Sequence, residues 1–232
     1  MANILNIETS TEVCSVALTS EGQVLDHYEN YDGPAHATLL STYVNDVLKY
    51  VRSRDIILDA VAVSIGPGSY TGLRIGLSEA KGLAFGMNLP LIGVNTLQLL
   101  TVSAMFHDYY EDDVLFVPMI DARRMEVYTA VYNSALVAIL EPQAMVLNEL
   151  SFSSLLENNK LVFVGNGASK AGNVIEHPNA LFLSDIKPVA VDMMALSERA
   201  FRNSDFIDVA YSTPIYLKEF HAIKPKNKLF EV

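Results

Sequence analysis

Hydrophobic residues open the chain in three short runs, Ile4 to Ile7, Val13 to Leu18 and Val24 to Tyr28, and the polar turns ETST and SEGQ separate them. This pattern predicts three consecutive β-strands. The period then changes. In PAHATLLSTYVNDVLKYV, Leu40, Tyr43, Val44, Val47, Leu48 and Val51 recur at helical spacing with polar residues between them, which predicts an amphipathic helix opened by Pro34. DAVAVSI is apolar on both faces, as a strand covered on each side would be. A helix is predicted from about 70 to 87, then a buried strand at PLIGV and a helix at TLQLLTVSAMF.

The order then begins again. LFVPMI, EVYTAVY and LVAIL predict a second trio of strands, followed by a short piece at 152–156, the strand LVFVG, a helix near Ala171 and another from Ala190 to Phe201. The expectation is an α/β protein of two lobes, 1–105 and 106–232, with mixed sheets flanked by helices, the second lobe reduced, and a hinge near 105–113. The sequence leaves open whether the helix near 190–203 crosses back onto the first lobe. The tail STPIYLKEFHAIKPKNKLFEV, with two prolines and most of the late lysines, is expected to be partly mobile.

Composition narrows the function classes. The stretch 82–106 carries no charge and is long enough to cross a bilayer, but Gly86, Asn88, Pro90, Gly93, Asn95, Thr96 and Gln98 break it into a helix end, a strand and a new helix. No membrane span is expected. A net charge of -11 over 232 residues repels a phosphate backbone, so any contact with RNA is expected to be indirect. The single cysteine, Cys14, cannot form an intramolecular disulfide, and MANILNIETS lacks the pattern of a signal peptide. Both features predict a cytoplasmic protein.

Candidate chemistry centres on VSIGPGSYTGLRIG. Gly66 and Gly68 permit positive φ around Pro67, and Ser69 or Thr71 can cap the helix that follows, which makes the junction a natural anion site. The lysine of a Walker loop is absent, and a plain tight turn explains the same residues. In the helix, Gly72, Gly76, Gly82 and Gly86 leave room for a close neighbour. Arg74, Ser78 and Lys81 form a narrow polar stripe, either a solvated edge or a positive face for an acidic partner or nucleotide. The histidines at 27, 36, 107, 177 and 221 are scattered, so no two-histidine helical metal site can form.

SIGPGSYTGLRIG, together with ILNIETSTEVCSVAL and DARRMEVYTAVY, resembles the TsaB family (also called YeaZ), bacterial proteins of tRNA threonylcarbamoyladenosine (position 37) synthesis. The likeness is nearly continuous in the first lobe and patchy in the second, at GNGA (165–168) and PIYLK (214–218). It implies an actin-like ATPase (ribonuclease H-like) fold and kinship with the catalytic subunit TsaD. Where TsaD has two metal-binding histidines, this chain has Thr96 and Leu100. Where TsaD has a second glycine-rich phosphate loop, this chain has Asp121, Ala122, Arg123, Arg124 and Met125.

The first phosphate loop survives in outline as Glu8, Thr9, Ser10 and Thr11, with glutamate in place of the superfamily's usual aspartate. Glu8 to Thr11, Gly66, Gly68, Ser69 and Asp121 are thus expected to be vestigial nucleotide-loop positions, with no catalytic residue and no metal or cofactor held by this chain alone. ATP and metal are expected on a TsaD-type partner. The resemblance implies a partner surface on the two helices after Pro34 and after the Gly-Pro-Gly turn, using Leu40, Tyr43, Val44, Val47, Gly72, Leu73, Ile75, Gly76 and Glu79. It further implies a homodimer in isolation, a TsaE-type ATPase as third member, and tRNA bound through the assembly. The alternative is an enzyme of the same superfamily, either peptidase-like or an ATP-dependent phosphotransferase using Glu8 to Thr11, Asp121 and Gly165 to Ala168.

Overall fold

A computed structural model describes residues 2–218 except 34 and 112. The opening runs form β1 (Asn3–Glu8), β2 (Cys14–Ser20) and β3 (Gln23–Asn30), an antiparallel meander. Helix α1 (His36–Ser53) leads to β4 (Ala60–Gly66), which pairs parallel with β1; α2 (Tyr70–Met87) leads to β5 (Leu91–Asn95), parallel with β4. The first sheet therefore has the order β3-β2-β1-β4-β5. Parallel neighbours need a crossover, and α1 and α2 supply the two crossovers here.

After α3 (Thr96–His107), the plan repeats in β6 (Leu115–Asp121), β7 (Glu126–Tyr132), β8 (Ala138–Val146), α4 (Ser153–Leu156), β9 (Leu161–Val164), α5 (Ala168–Gly172) and β10 (Ala180–Leu183). The second sheet has the order β8-β7-β6-β9-β10, with the same alternation of antiparallel and parallel pairs. Its crossover helices have shrunk to four and five residues. This is the duplicated actin-like plan with a reduced second half. The sequence pattern did not reveal β10, a short, half-exposed edge strand.

Burial explains the sequence patterns. The apolar stripe of α1 (Leu40, Val44, Val47, Val51) packs on one face of the first sheet beside Leu77, Ala80 and Ala84 of α2. Helix α3 has no polar face because it lies between the sheets: Leu99 and Val102 meet Ile4 and Ile92 of the first, while Leu97, Leu100 and Ala104 meet Phe116, Ile120 and Val164 of the second. That accounts for the charge-free stretch. Among the described residues, no helix is long and apolar enough to cross a membrane.

The chain then returns to the first lobe. A 3₁₀ turn (Ala190–Met193) and α6 (Met194–Arg202) place Ala190, Met193 and Leu196 against Ile4, Ala17 and Ile92. The amide of Ala190 donates to Ser15 Oγ at 2.9 Å. Beyond α6, a strap follows α2: Ile207 N donates to Leu91 O, Ile215 N to Ile65 O, and Lys81 Nζ to the carbonyls of Ala210 and Ser212. Arg74 Nε donates to Tyr216 OH at 3.2 Å. The basic stripe of α2 is thus engaged by the chain's own strap. Of the tail expected to be mobile, 212–218 belong to this strap and 219–232, with His221, lie outside the described residues.

Candidate functional site

The strand-to-helix turn comes first. Gly66 has φ of 109° and precedes a cis bond to Pro67; Ser69 caps α2, its Oγ accepting from Gly72 N at 3.2 Å. Gly68 does not need positive φ, contrary to the sequence expectation. It needs a missing Cβ, because one built there would lie 2.3 Å from Ser10 O. The Ser69 amide, placed where a phosphate oxygen could be held, donates to that same Ser10 carbonyl at 2.7 Å. The loop between β1 and β2 has therefore taken the anion's position.

Thr9, Ser10 and Thr11 of that loop are buried. Thr9 Oγ1 donates to Gly72 O at 2.8 Å, and Thr11 O accepts from His36 Nε2 at 2.8 Å. Glu8 is fully buried; its Oε1 accepts from the amide and hydroxyl of Ser10, while Oε2 has no partner of normal geometry and lies near the Ser64 hydroxyl. Burial pushes its carboxyl up to about 7, against the opposing pull of the Ser10 contacts. Such a group does not present a carboxylate to a hydrated cation. Cys14, buried behind it, is pushed up to about 11, first by burial and then by Glu8, which is the setting of an inert thiol.

The facing lobe is equally occupied. Asp121 Oδ1 accepts from Lys170 Nζ at 2.6 Å and from Arg123 N at 2.6 Å. Arg123 and Arg124 have φ of 71° and 51°, so the turn is tight and carries two large side chains where a phosphate cradle would need bare amides. Asn166 Oδ1 accepts from Asp121 N at 2.9 Å, and its Nδ2 reaches toward Glu12. Glu12 in turn pairs with Lys187 at 3.3 Å.

Gly165, at φ 103°, is pressed against the chain itself. An added Cβ would lie 2.4 Å from Leu100 Cδ2 and 2.6 Å from Met119 O. Thr11, Glu12, Leu100, Gly165, Asn166 and Lys187 together leave a void of about 10 Å³. That is room for one water at most, against the roughly 300 Å³ or more of a small-molecule site. The residues present do not fit Mg-ATP. Among the described residues, no three His, Cys, Asp or Glu side chains gather as a metal cluster.

The surface expected to receive a partner needs correction. Leu40, Val44, Val47, Gly72, Leu73 and Gly76 are buried within the chain's own core. The apolar faces of the two helices are consumed by the first sheet rather than left over. Gly72 and Gly76 admit Thr9: a Cβ at either would lie 2.1 or 2.2 Å from its oxygens. Tyr43, Ile75 and Glu79 do reach solvent, and Ser41 Oγ donates to Glu79 Oε2 at 3.2 Å across the helix pair. On α2, Gly82 and Gly86 face open space and Phe85 is 83% exposed.

Sequence reasoning missed Glu12, Asn166, Lys170 and Lys187, the residues that close the cleft. Their partners are remote in the chain: Glu12 falls within ILNIETSTEVCSVAL and Asn166 within GNGA, yet neither motif shows which side chain it meets.

The repeated sheet order defines an α/β protein of actin-like plan, with two mixed sheets whose facing turns are packed by the chain's own side chains. A family model described as "TsaD: tRNA N6-adenosine threonylcarbamoyltransferase" matches residues 30–213. The chain is 33% identical to the tRNA threonylcarbamoyladenosine biosynthesis protein TsaB of Escherichia coli, covering 93% of this chain and 94% of that one. It is 31% identical to TsaB of Bacillus subtilis, over 75% of each. The solved structure of YeaZ from Pseudomonas aeruginosa superimposes with a TM-score of 0.78 and 27% identity, covering 94% of this chain and all of that one. The chain belongs to the TsaB family, within the wider TsaD group.

Proposed function

We propose that this chain is the non-catalytic subunit of the machinery that makes threonylcarbamoyladenosine in tRNA, where it binds and supports a TsaD-type catalytic subunit. The observation that carries this reading is the cleft: Ser10 O holds the Ser69 amide, Lys170 holds Asp121, and Leu100 lies against Gly165. A protein of this fold that has filled its own cleft retains its shape and its surfaces as its contribution. ATP and metal chemistry then belong to the partner, and tRNA is bound through the assembly, in keeping with a net charge of -11.

The docking face is the solvent side of α1 and α2 around Tyr43, Ile75 and Glu79, extended along α2 by Gly82 and Phe85. An apolar residue exposed as fully as Phe85 fits such a contact. In the absence of the partner, the same face pairs with a second copy, and a TsaE-type ATPase joins as third member in the cytoplasm. Co-purification with a TsaD-type protein tests the reading. Phe85→Glu, at a site 83% exposed, is expected to abolish the complex and leave the thermal transition of the free chain unchanged, whereas Ile75→Glu, at a partly buried site packed on the core, should abolish the complex and lower the transition as well. A charge at Val47, which is fully buried, would test folding instead. Retention of the complex by Ile75→Glu and Phe85→Glu would exclude this face.

A further inference from the structure

A cavity of about 530 Å³ lies beyond Lys187, beside the closed cleft. Tyr31 enters just after β3, the last turns of α3 contribute Ser103, Phe106 and His107, and the segment after β10 contributes Asp185 and Lys187, with Asp192 from the 3₁₀ turn. Elements of both lobes thus meet around it. Its size falls within the range of small-molecule sites.

The charges around it are unbalanced. Lys187 lines the cavity, with its Nζ 3.3 Å from Glu12 Oε1 and 5.8 Å from the centre of the Tyr31 ring, so its charge is offset by Glu12 while one cation already lies over that ring. Tyr31 OH donates to Glu29 Oε2 at 2.7 Å, which brings a third carboxylate close to the wall. Neither Asp185 nor Asp192 has an ion-pair partner among the described residues. Burial raises the Asp192 carboxyl, Ser103 nearby opposes that, and the Glu29 charge adds to it. Ser103 Oγ is itself buried on the cavity wall without a hydrogen bond of normal geometry. Tyr31 and Phe106, 51% and 58% exposed, stand as aromatic walls. A phosphate would meet several carboxylates, with His107 and the Glu12-paired Lys187 as the cations in the lining. A cation would gain carboxylates and ring faces together.

We propose that this cavity binds a small organic cation, a primary amine or guanidinium on an apolar stem, with its head at Asp192 and its stem between Tyr31 and Phe106. The inference is independent of the partner surface.

Agmatine, which carries both head groups on a four-carbon stem, is the probe. Titrated into the full chain by calorimetry and by amide chemical shifts, it is expected to bind saturably, with shifts centred on Ser103 and Asp192. Asp192→Asn should weaken binding roughly tenfold or more, as loss of one charged hydrogen bond does. Phe106→Ala alters an exposed side chain without touching the core, and should weaken it several-fold at unchanged stability. Absence of saturation overturns the proposal. So does equal binding to wild type and both variants, which would mark general attraction to an acidic protein, or preferential binding of inorganic phosphate.

Discussion

Lys187 Nζ lies 3.3 Å from Glu12 Oε1, joining the segment after β10 to the loop after β1 across the two lobes. Both side chains are about one-third exposed, at 32% and 33%, so the pair marks the closed cleft more than it holds it. Partly exposed ion pairs contribute about 0–1 kcal/mol. The packing of Leu100 against Gly165 is the stronger element, because both residues are buried and the Met119 carbonyl limits any shift.

Gly165→Ala is therefore expected to be the costly change in the cleft. It forces an alanine to a φ of 103° and drives a methyl into Leu100 and the Met119 carbonyl, together about 2–4 kcal/mol. Lys187→Met should cost less than about 1 kcal/mol. Urea unfolding of the two variants measures both. A larger loss in Lys187→Met than in Gly165→Ala would reverse this assignment.

Glu8 predicts a pH dependence. Its carboxyl sits at about 7 in the folded chain against the ordinary 4.5. Below 4.5 the folded and unfolded chains are both protonated there, and above 7 both are ionised. Between these values only the unfolded chain releases the proton, so stability falls as pH rises through this window, by about 3 kcal/mol in all. Glu8→Gln removes this loss while keeping an acceptor for Ser10 N. The stability difference between variant and wild type should be flat below pH 4.5, grow in favour of glutamine up to pH 7, and then level off. A difference that does not change with pH would mean that Glu8 titrates normally.

The four glycines of α2 separate into two pairs with opposite outcomes. At Gly72 and Gly76 an alanine methyl meets Thr9 at 2.1 and 2.2 Å, and each change should destabilise the chain by about 1–3 kcal/mol. Gly82 and Gly86 have open space around them, and alanine there should stabilise the free helix by about 0.5–1 kcal/mol. If α2 docks the partner, Gly82→Ala should nevertheless weaken the complex. Thermal unfolding of the free chain and affinity for the TsaD-type subunit report the two effects separately.

How far the sequence could be read depended on the range of the interactions. Periodicity located α1 and α2 because each buries one face on a single sheet, and the run of charge-free residues was resolved because Pro90 and Asn95 punctuate it. β10 escaped notice: ALFL is short, lies at a sheet edge and has no alternation to betray it. In the site, the missing lysine and histidines were visible in the sequence, but what replaced them was not. Ser10 reaches Ser69, and Glu12 reaches Lys187, only through the fold. The apolar residues of α1 and α2 were legible as a stripe, yet a stripe does not say whether its own sheet or another protein covers it. Here Val44 and Val47 face the sheet, and Ile75 remains partly outside.

The claim on which the rest depends is that the cleft between the lobes cannot accept a nucleotide. Calorimetric titration of Mg-ATP into the purified chain tests this without any partner. No saturable heat, and no change in the thermal transition at millimolar nucleotide, is the predicted result. Micromolar binding, lost on Lys170→Ala or Asp121→Asn, would contradict the account and restore the chain to the phosphoryl-transfer enzymes of its superfamily.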